Sequence, residues 1–190
     1  GTIFAATAGI PADTKDHFVA AATSAFGAAN INTFLQFYPA TTDAAAQQSE
    51  VTLAGDLIIA SQTWEMANLQ LKTGKSPVYS YYFSQTSAYN PLPIHVSEVP
   101  YVFQNLVANG HGAPDATDTA VADAMSSYWT NFAKTDNPNG HGLPDWPAYQ
   151  GAGGQVMGLA TPLQAQPEVS TARFQFLNSF RSNGSLGFAF

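Results

Sequence analysis

The chain has 190 residues, of which 45% are hydrophobic and only 10% are charged, and its formal net charge is −7. The hydrophobic content is enough for the core of one domain and excludes a disordered chain. With only six Lys and Arg residues and no cysteine, the sequence argues against a nucleic-acid surface and excludes disulfides and cysteine metal sites. No apolar run approaches the roughly 20 residues of a membrane span.

The first third of the chain is predicted to be helical. Apolar residues at helical spacing predict a helix over 14–26, with its N-cap at Asp13 or Thr14. The segment 32–38 is predicted to be an extended piece or a short helix. One or two helices are then expected over 41–74, the first capped by Thr42 or Asp43. Apolar residues recur there every three to four positions, namely Leu53, Leu57, Ala60, Trp64, Ala67 and Leu71.

The period of the apolar residues changes after Gly74. Residues 77–83 (PVYSYYF) are β-branched and aromatic, which predicts a strand, and their apolar character on both faces is typical of an internal strand of a covered sheet. Further along, the pattern predicts a long helix over 117–134, with Asp115, Thr117 or Asp118 as its cap. It also predicts a short terminal strand over 155–159 and a last amphipathic helix over 169–180. Two strands do not make a sheet, so we expect its other strands to lie elsewhere.

The four histidines show no metal-ligand spacing, and a metal site is therefore not predicted. His17, His111 and His141 are expected at the surface. His95 follows the strand 77–83, and the ends of such strands often carry functional groups, so both a catalytic and a plain loop role remain open from pattern alone. The motif NGSLG at 183–187 lacks the first glycine of a nucleophile elbow, and no nucleophile is assigned.

Three segments resemble the type-B carboxylesterases, the α/β-hydrolase family that includes the cholinesterases. The run SPVYSYYFSQTSAYNPLPIHVSEVPYVFQNL is similar to the family's strand and the loop that carries its catalytic histidine. AMSSYWTNFAKTDNPNG, followed by LPDWPAY, resembles the family's last long helix and the turn after it, and GDLIIASQTWEMA fits more loosely.

The resemblance implies that residues 1–190 are the C-terminal part of one α/β-hydrolase catalytic domain, helix-rich, with a sheet completed by an N-terminal chain. His95 would be the general base of a Ser-Glu-His triad, and Glu98 would either support its loop or be an ordinary hydrogen-bonded carboxylate. The start Gly1, Thr2, Ile3, Phe4 resembles the residues just after the family's catalytic Glu. Serine, Glu and oxyanion hole would then all lie in the N-terminal part.

The implied function is hydrolysis of small carboxylic esters without a cofactor. Val96 departs from the glycine that commonly follows the histidine in this family. Two alternatives stay open: a non-catalytic, cholinesterase-like interaction module, and an independent domain with a binding role. Aromatic side chains such as Phe34, Phe37, Tyr38 and Tyr89 either line a substrate pocket or simply pack. The low charge and the abundance of Ala, Thr and Gln favour a secreted or periplasmic enzyme.

Overall fold

The computed structural model describes residues 13–181. They form two compact units, the first comprising 13–68 with 170–181 and the second comprising 69–169. The expectations for residues 1–4 and for the motif at 183–187 concern positions outside the described range.

The helices and strands of the two units are mostly short. The helices are α1 (Lys15–Phe26), α2 (Ile31–Phe37), α3 (Asp43–Gly55), a π-helical turn (Asp56–Ala60), α4 (Ser61–Thr73), α5 (Val99–Val102), α6 (Ala116–Thr135) and α7 (Thr171–Arg181), and the strands are β1 (Tyr81–Phe83), β2 (Gln155–Leu159) and β3 (Gln164–Pro167). Within residues 13–181, no helix combines the length and the apolar content that crossing a bilayer requires.

Helices of the first unit begin at residues that cap them. Thr14 Oγ1 accepts a hydrogen bond from the His17 amide at 3.2 Å, and Thr42 Oγ1 accepts one from the Ala45 amide at 3.1 Å. Each bond satisfies an amide that has no partner in the first helical turn. Both caps confirm predictions, and α2 resolves the prediction for 32–38 in favour of a short helix.

The core of the first unit is aromatic. The fully buried ring of Phe34 lies 4.7 Å from that of Phe26 and 4.9 Å from that of Tyr38, measured between centroids. Phe37 packs its ring 5.7 Å from Phe176. Such ring pairs contribute about 0.5–1.5 kcal/mol each beyond the area that they bury. Of the two roles left open for Phe34, Phe37 and Tyr38, packing is the one observed here.

A three-stranded sheet in the order β1-β2-β3 lies in the second unit. β1 and β2 are parallel, with Tyr81 opposite Met157, whereas β2 and β3 are antiparallel, with Gly158 opposite Gln164. The strand predicted over 155–159 is confirmed with those bounds. β3 was not expected, because its sequence QAQP shows no apolar alternation and only its pairing with β2 makes it a strand.

β1 is shorter and more exposed than the sequence predicts. The ladder includes only the last three residues of the predicted strand 77–83. Tyr81 and Tyr82 are 38% and 61% exposed, and β1 is the outermost strand of the sheet within residues 13–181. Because the covering strands are expected outside this part of the chain, the open edge of β1 does not contradict the prediction of an internal strand, which stays a prediction.

Trp146 occupies the centre of the second unit's core. Its indole is 3% exposed and donates a hydrogen bond to the Ser80 carbonyl at 3.1 Å, which ties the residues after α6 to the start of β1. Four aromatic rings surround it, with centroids 5.2 to 6.4 Å away, and these belong to Tyr79, Tyr81, Tyr128 and Trp129. Tyr89 is also buried in this core, at 8% exposure, so packing is its observed role too.

The long helix α6 confirms the prediction for 117–134. Asp115 Oδ1 accepts hydrogen bonds from the amides of Thr117 and Asp118, at 2.7 and 3.0 Å. Asp118 Oδ2 in turn accepts a bond from the Asp115 amide at 3.1 Å, which completes a capping box. The start of α6 is thus held by reciprocal bonds.

Candidate active site

His95 lies on a turn that follows β1 along the chain, and its side chain is exposed. Two hydrogen bonds between the same pair of residues close the turn: the Ser97 amide donates to the Ile94 carbonyl at 3.0 Å, and the Ile94 amide donates to Ser97 Oγ at 2.9 Å. The backbone is therefore held on both sides of His95 while the imidazole faces outward. A group that must meet a substrate needs this combination of access and fixed position.

Val96 has a backbone conformation that is rare for its residue type. Its φ is +66°, in the left-handed region, where a β-branched side chain is an outlier. The resemblance expects glycine at this position, and glycine adopts positive φ without steric cost. With valine in place of glycine, the backbone still adopts the positive φ, at a cost of about 1–2 kcal/mol of strain.

Glu98 links the His95 turn to β1. Tyr81 Oη donates to Glu98 Oε1 at 3.5 Å, which is at the outer limit of a hydrogen bond. Burial, together with the negative charge of Glu98, raises the pKa of Tyr81 to about 12, so the phenol keeps its proton and remains a donor. The contact joins two partly exposed side chains, and the supporting role of Glu98 stays a prediction.

A buried polar cluster adjoins the His95 segment, and sequence reasoning missed it. Tyr101 Oη donates to Asp118 Oδ1 at 2.7 Å, and Gln85 Nε2 donates to the same oxygen at 3.3 Å. All three side chains are at most 2% exposed. The sequence identified Asp118 only as a helix cap, and the available signal was a charged residue within the apolar pattern of α6.

The other histidines lie at the surface, as predicted. His17, His111 and His141 are all exposed. His17 Nδ1 is 2.8 Å from the exposed Asp13 carboxylate, which is an ordinary surface contact. Among residues 13–181, no three His, Cys, Asp or Glu side chains come together as a metal site would require.

The arrangement of helices and strands matches that of a solved thermophilic pNB esterase. The TM-score is 0.63, and the match covers 85% of this chain and 33% of the other. The sequences are 22% identical over the match, so the likeness establishes the fold and no more. The fold is that of the α/β-hydrolases, here with a helix-rich chain and a small sheet, as the sequence predicted.

The sequence profile of the Carboxylesterase family matches residues 11–177, and the chain belongs to this family. It is 33% identical to human cocaine esterase over 82 residues, which are 40% of this chain and 15% of that protein. It is also 33% identical to carboxylesterase 4A of Bos taurus over 112 residues, covering 54% of this chain and 19% of the relative. Acylcarnitine hydrolase of Rattus norvegicus is 32% identical over 102 residues, 50% of this chain and 18% of the relative. These matches span a fifth or less of the relatives' length.

Proposed function

We propose that the whole protein hydrolyses carboxylic esters and that this chain supplies His95 as the general base of a Ser-Glu-His triad. The observation that carries the proposal is the position of His95 within the matched region: it opens the family-like run 95–103 on a closed turn after β1, with its side chain exposed. The serine and the acidic residue belong to an N-terminal part of the protein that precedes this chain.

The chemistry follows from the proton that an imidazole can accept and return. His95 takes the serine hydroxyl proton while the serine oxygen forms a bond to the ester carbonyl carbon. The protonated ring then gives that proton to the departing alkoxide as the carbon–oxygen bond breaks. In the second half, His95 removes a proton from water, the water oxygen attacks the acyl carbon, and the proton returns to the serine as the acid leaves.

Exposed apolar side chains in the segment around His95 support the proposal that a further part of the protein covers this segment. Five large apolar side chains between residues 92 and 107 are half or more exposed, namely Leu92, Ile94, Val96, Phe103 and Val107. In addition, one edge of β1 carries no strand within residues 13–181. Exposed apolar side chains and an open strand edge each favour association with further chain, and the N-terminal part would supply it.

The proposal is tested with the whole protein, this chain together with its N-terminal part, and p-nitrophenyl acetate as substrate. His95→Ala is expected to lower kcat/KM by about 10³-fold or more, because loss of the base removes the concerted action of the triad. The matched control is His111→Ala, another exposed loop histidine, which is expected to leave turnover unchanged. Unchanged hydrolysis in His95→Ala would contradict the role of His95 as general base.

A second measurement separates an enzyme from a non-catalytic interaction module. A fluorophosphonate probe reacts with a serine only when a nearby base activates it. The whole protein should therefore be labelled, and His95→Ala should be labelled far more slowly. A whole protein that takes up no probe and hydrolyses no ester would favour the interaction module.

A further inference from the structure

Asp118 is a carboxylate in the core of the second unit, with 0% of its surface exposed. Its Oδ2 accepts the Asp115 amide at 3.1 Å, as the capping box of α6 requires. Its Oδ1 has other partners: the Tyr101 hydroxyl at 2.7 Å and the Gln85 side-chain amide at 3.3 Å. Helix capping therefore explains only one of the two carboxylate oxygens.

The bond between Tyr101 and Asp118 is charge-assisted. Burial alone would raise the pKa of Asp118, but the hydrogen bonds that its carboxylate accepts, with that from Tyr101 contributing most, outweigh burial and lower this pKa. Burial and the neighbouring carboxylate raise the pKa of the Tyr101 phenol, which therefore remains a protonated donor. A short bond from a neutral hydroxyl to a buried carboxylate is about twice as strong as a bond between neutral groups.

Short-range hydrogen bonds connect Tyr101 to both sides of His95. From Tyr101 toward His95 they are Tyr101 N to Glu98 O at 3.0 Å, Val99 N to Val96 O at 3.2 Å and Ser97 N to Ile94 O at 3.0 Å. The segment from the turn to α5 is therefore one hydrogen-bonded piece. Fixing the Tyr101 ring constrains where this piece, and His95 on it, can lie.

The other end of the cluster is fixed to the sheet. Gln85 follows β1, and its Oε1 accepts the Thr161 amide at 3.0 Å, in the connection between β2 and β3. Its backbone carbonyl accepts a bond from Asn90 Nδ2 at 2.7 Å. Asp118 thus receives bonds both from the sheet side, through Gln85, and from the His95 side, through Tyr101.

The strain at Val96 shows why the turn needs an anchor. A valine at a φ of +66° persists only when the surrounding structure holds it there. The Ser97 and Ile94 bonds hold the turn locally, and α5 with Tyr101 holds its C-terminal end. Without the anchor at Tyr101, relaxation of Val96 toward negative φ would rotate the peptide next to His95.

We propose that Asp118, acting through the Tyr101 hydroxyl, is a positioning residue that holds the His95 turn in its reactive geometry. The catalytic part of this inference rests on the proposed role of His95 as general base. Asp118 and Tyr101 touch neither substrate nor reacting atoms, and their contribution is to keep a strained turn in one conformation.

The test compares Tyr101→Phe with the parent in the whole protein. The substitution removes one hydroxyl and keeps the ring that packs 5.1 Å from Phe83. We expect kcat for p-nitrophenyl acetate to fall about tenfold with KM changed less than twofold, since the loss acts on the reacting geometry and not on ground-state binding. Hydrogen exchange at the Ser97 and Val99 amides should accelerate by a similar factor, with little change at Thr119 in α6.

A matched control uses the other side-chain link between the same two segments. Gln104 Nε2 donates to Asp123 Oδ1 at 2.7 Å, joining the end of α5 to α6 at an exposed position. Asp123→Asn is expected to leave kcat and the exchange of the turn amides unchanged, because exposed contacts of this kind contribute little. If Asp118 acts through Tyr101, Asp118→Asn combined with Tyr101→Phe should lose no more kcat than the worse single variant.

The possible results separate this inference from the proposed function. If His95→Ala leaves ester hydrolysis unchanged, the proposed function fails, while faster exchange at Ser97 and Val99 in Tyr101→Phe would still uphold the anchoring. Unchanged exchange at both amides, or an equal effect of Asp123→Asn, overturns the anchoring. Additive losses in the double variant overturn the action of Asp118 through Tyr101.

Discussion

Arg173 and Asp56 form an ion pair in the first unit, with Arg173 Nε 2.9 Å from Asp56 Oδ2. The same oxygen accepts the Tyr38 hydroxyl at 2.8 Å, and Asp56 is 4% exposed. Burial raises the pKa of Asp56, and the charge of Arg173 and the bond from Tyr38 offset only part of the effect. The ionised state of this carboxylate therefore depends on its two partners.

Arg173→Gln is expected to lower the free energy of unfolding by about 2–4 kcal/mol at pH 7, because it leaves a buried charge uncompensated. Without the guanidinium the pKa of Asp56 rises further. A carboxyl whose pKa is raised in the folded state lowers the free energy of unfolding as pH rises through that folded-state pKa. The loss of stability caused by Arg173→Gln should therefore become smaller as pH falls from 7 toward 4.5. Urea unfolding of the parent and of Arg173→Gln at pH 7 and at pH 4.5 measures this difference.

The control for this prediction is Arg181→Gln, another arginine on a helix of the same unit. Arg181 NH1 is 4.0 Å from the exposed Glu65 carboxylate and donates to Ser61 Oγ at 3.2 Å. Each contact contributes about 1 kcal/mol or less, and losing both leaves no buried charge uncompensated. An equal loss in the two variants, or a loss in Arg173→Gln that does not depend on pH, would contradict the importance of the Asp56 pair.

Val96→Gly is expected to stabilise the protein. The substitution relieves about 1–2 kcal/mol of strain at the positive φ, and the greater freedom of glycine in the unfolded chain takes back roughly half of that gain. The side chain is 53% exposed, so little buried area is lost. The midpoint of urea unfolding should therefore rise, by the equivalent of about 0.5–1 kcal/mol.

Val99→Gly, three residues further along the chain, is the control and is expected to destabilise the protein. Val99 is 41% exposed and lies in α5, where glycine costs about 0.5–1 kcal/mol. If both glycine variants are destabilised equally, strain at Val96 is not the cause of the effect.

Asp118 should contribute to the stability of the protein at neutral pH. Its folded pKa is lowered below the usual 3.8, so its stabilising contribution is present above that value and is lost as pH falls through the folded pKa. Asp118→Asn is expected to be less stable than the parent at pH 7, with a difference that narrows below about pH 4. Urea unfolding between pH 7 and pH 2.5 tests this, and a constant difference over that range would refute it.

Trp146→Phe is expected to destabilise the protein by about 2–3 kcal/mol, because it creates a cavity and leaves the Ser80 carbonyl without its indole donor. Trp129→Phe is the matched control, since Trp129 is only partly buried. Its loss should be about 1 kcal/mol or less. Equal losses of unfolding free energy in the two variants would show that the central position of Trp146 among the rings adds no stability.

Local features were predictable from the sequence. The caps at Thr14, Thr42 and Asp115 are confirmed, since capping depends on residues within one helical turn. The π-helical turn at Asp56–Ala60 was not predicted, because one extra residue in a single turn does not interrupt an apolar spacing of three to four residues. β3 was missed because its strand pairing, and not its composition, defines it.

At the candidate site, the sequence by itself selected His95 and Glu98 through a run of residues typical of carboxylesterases. The sequence also predicted that His17, His111 and His141 lie at the surface and that 117–134 form a long helix. It showed too that valine stands at position 96, where the family commonly has glycine. Only the tertiary structure decided that Tyr101 and Gln85 both meet Asp118, because these contacts span 17 and 33 positions of the chain and no local sequence pattern predicts them. The physical reason is that a buried carboxylate takes its partners from whichever segments packing brings to it.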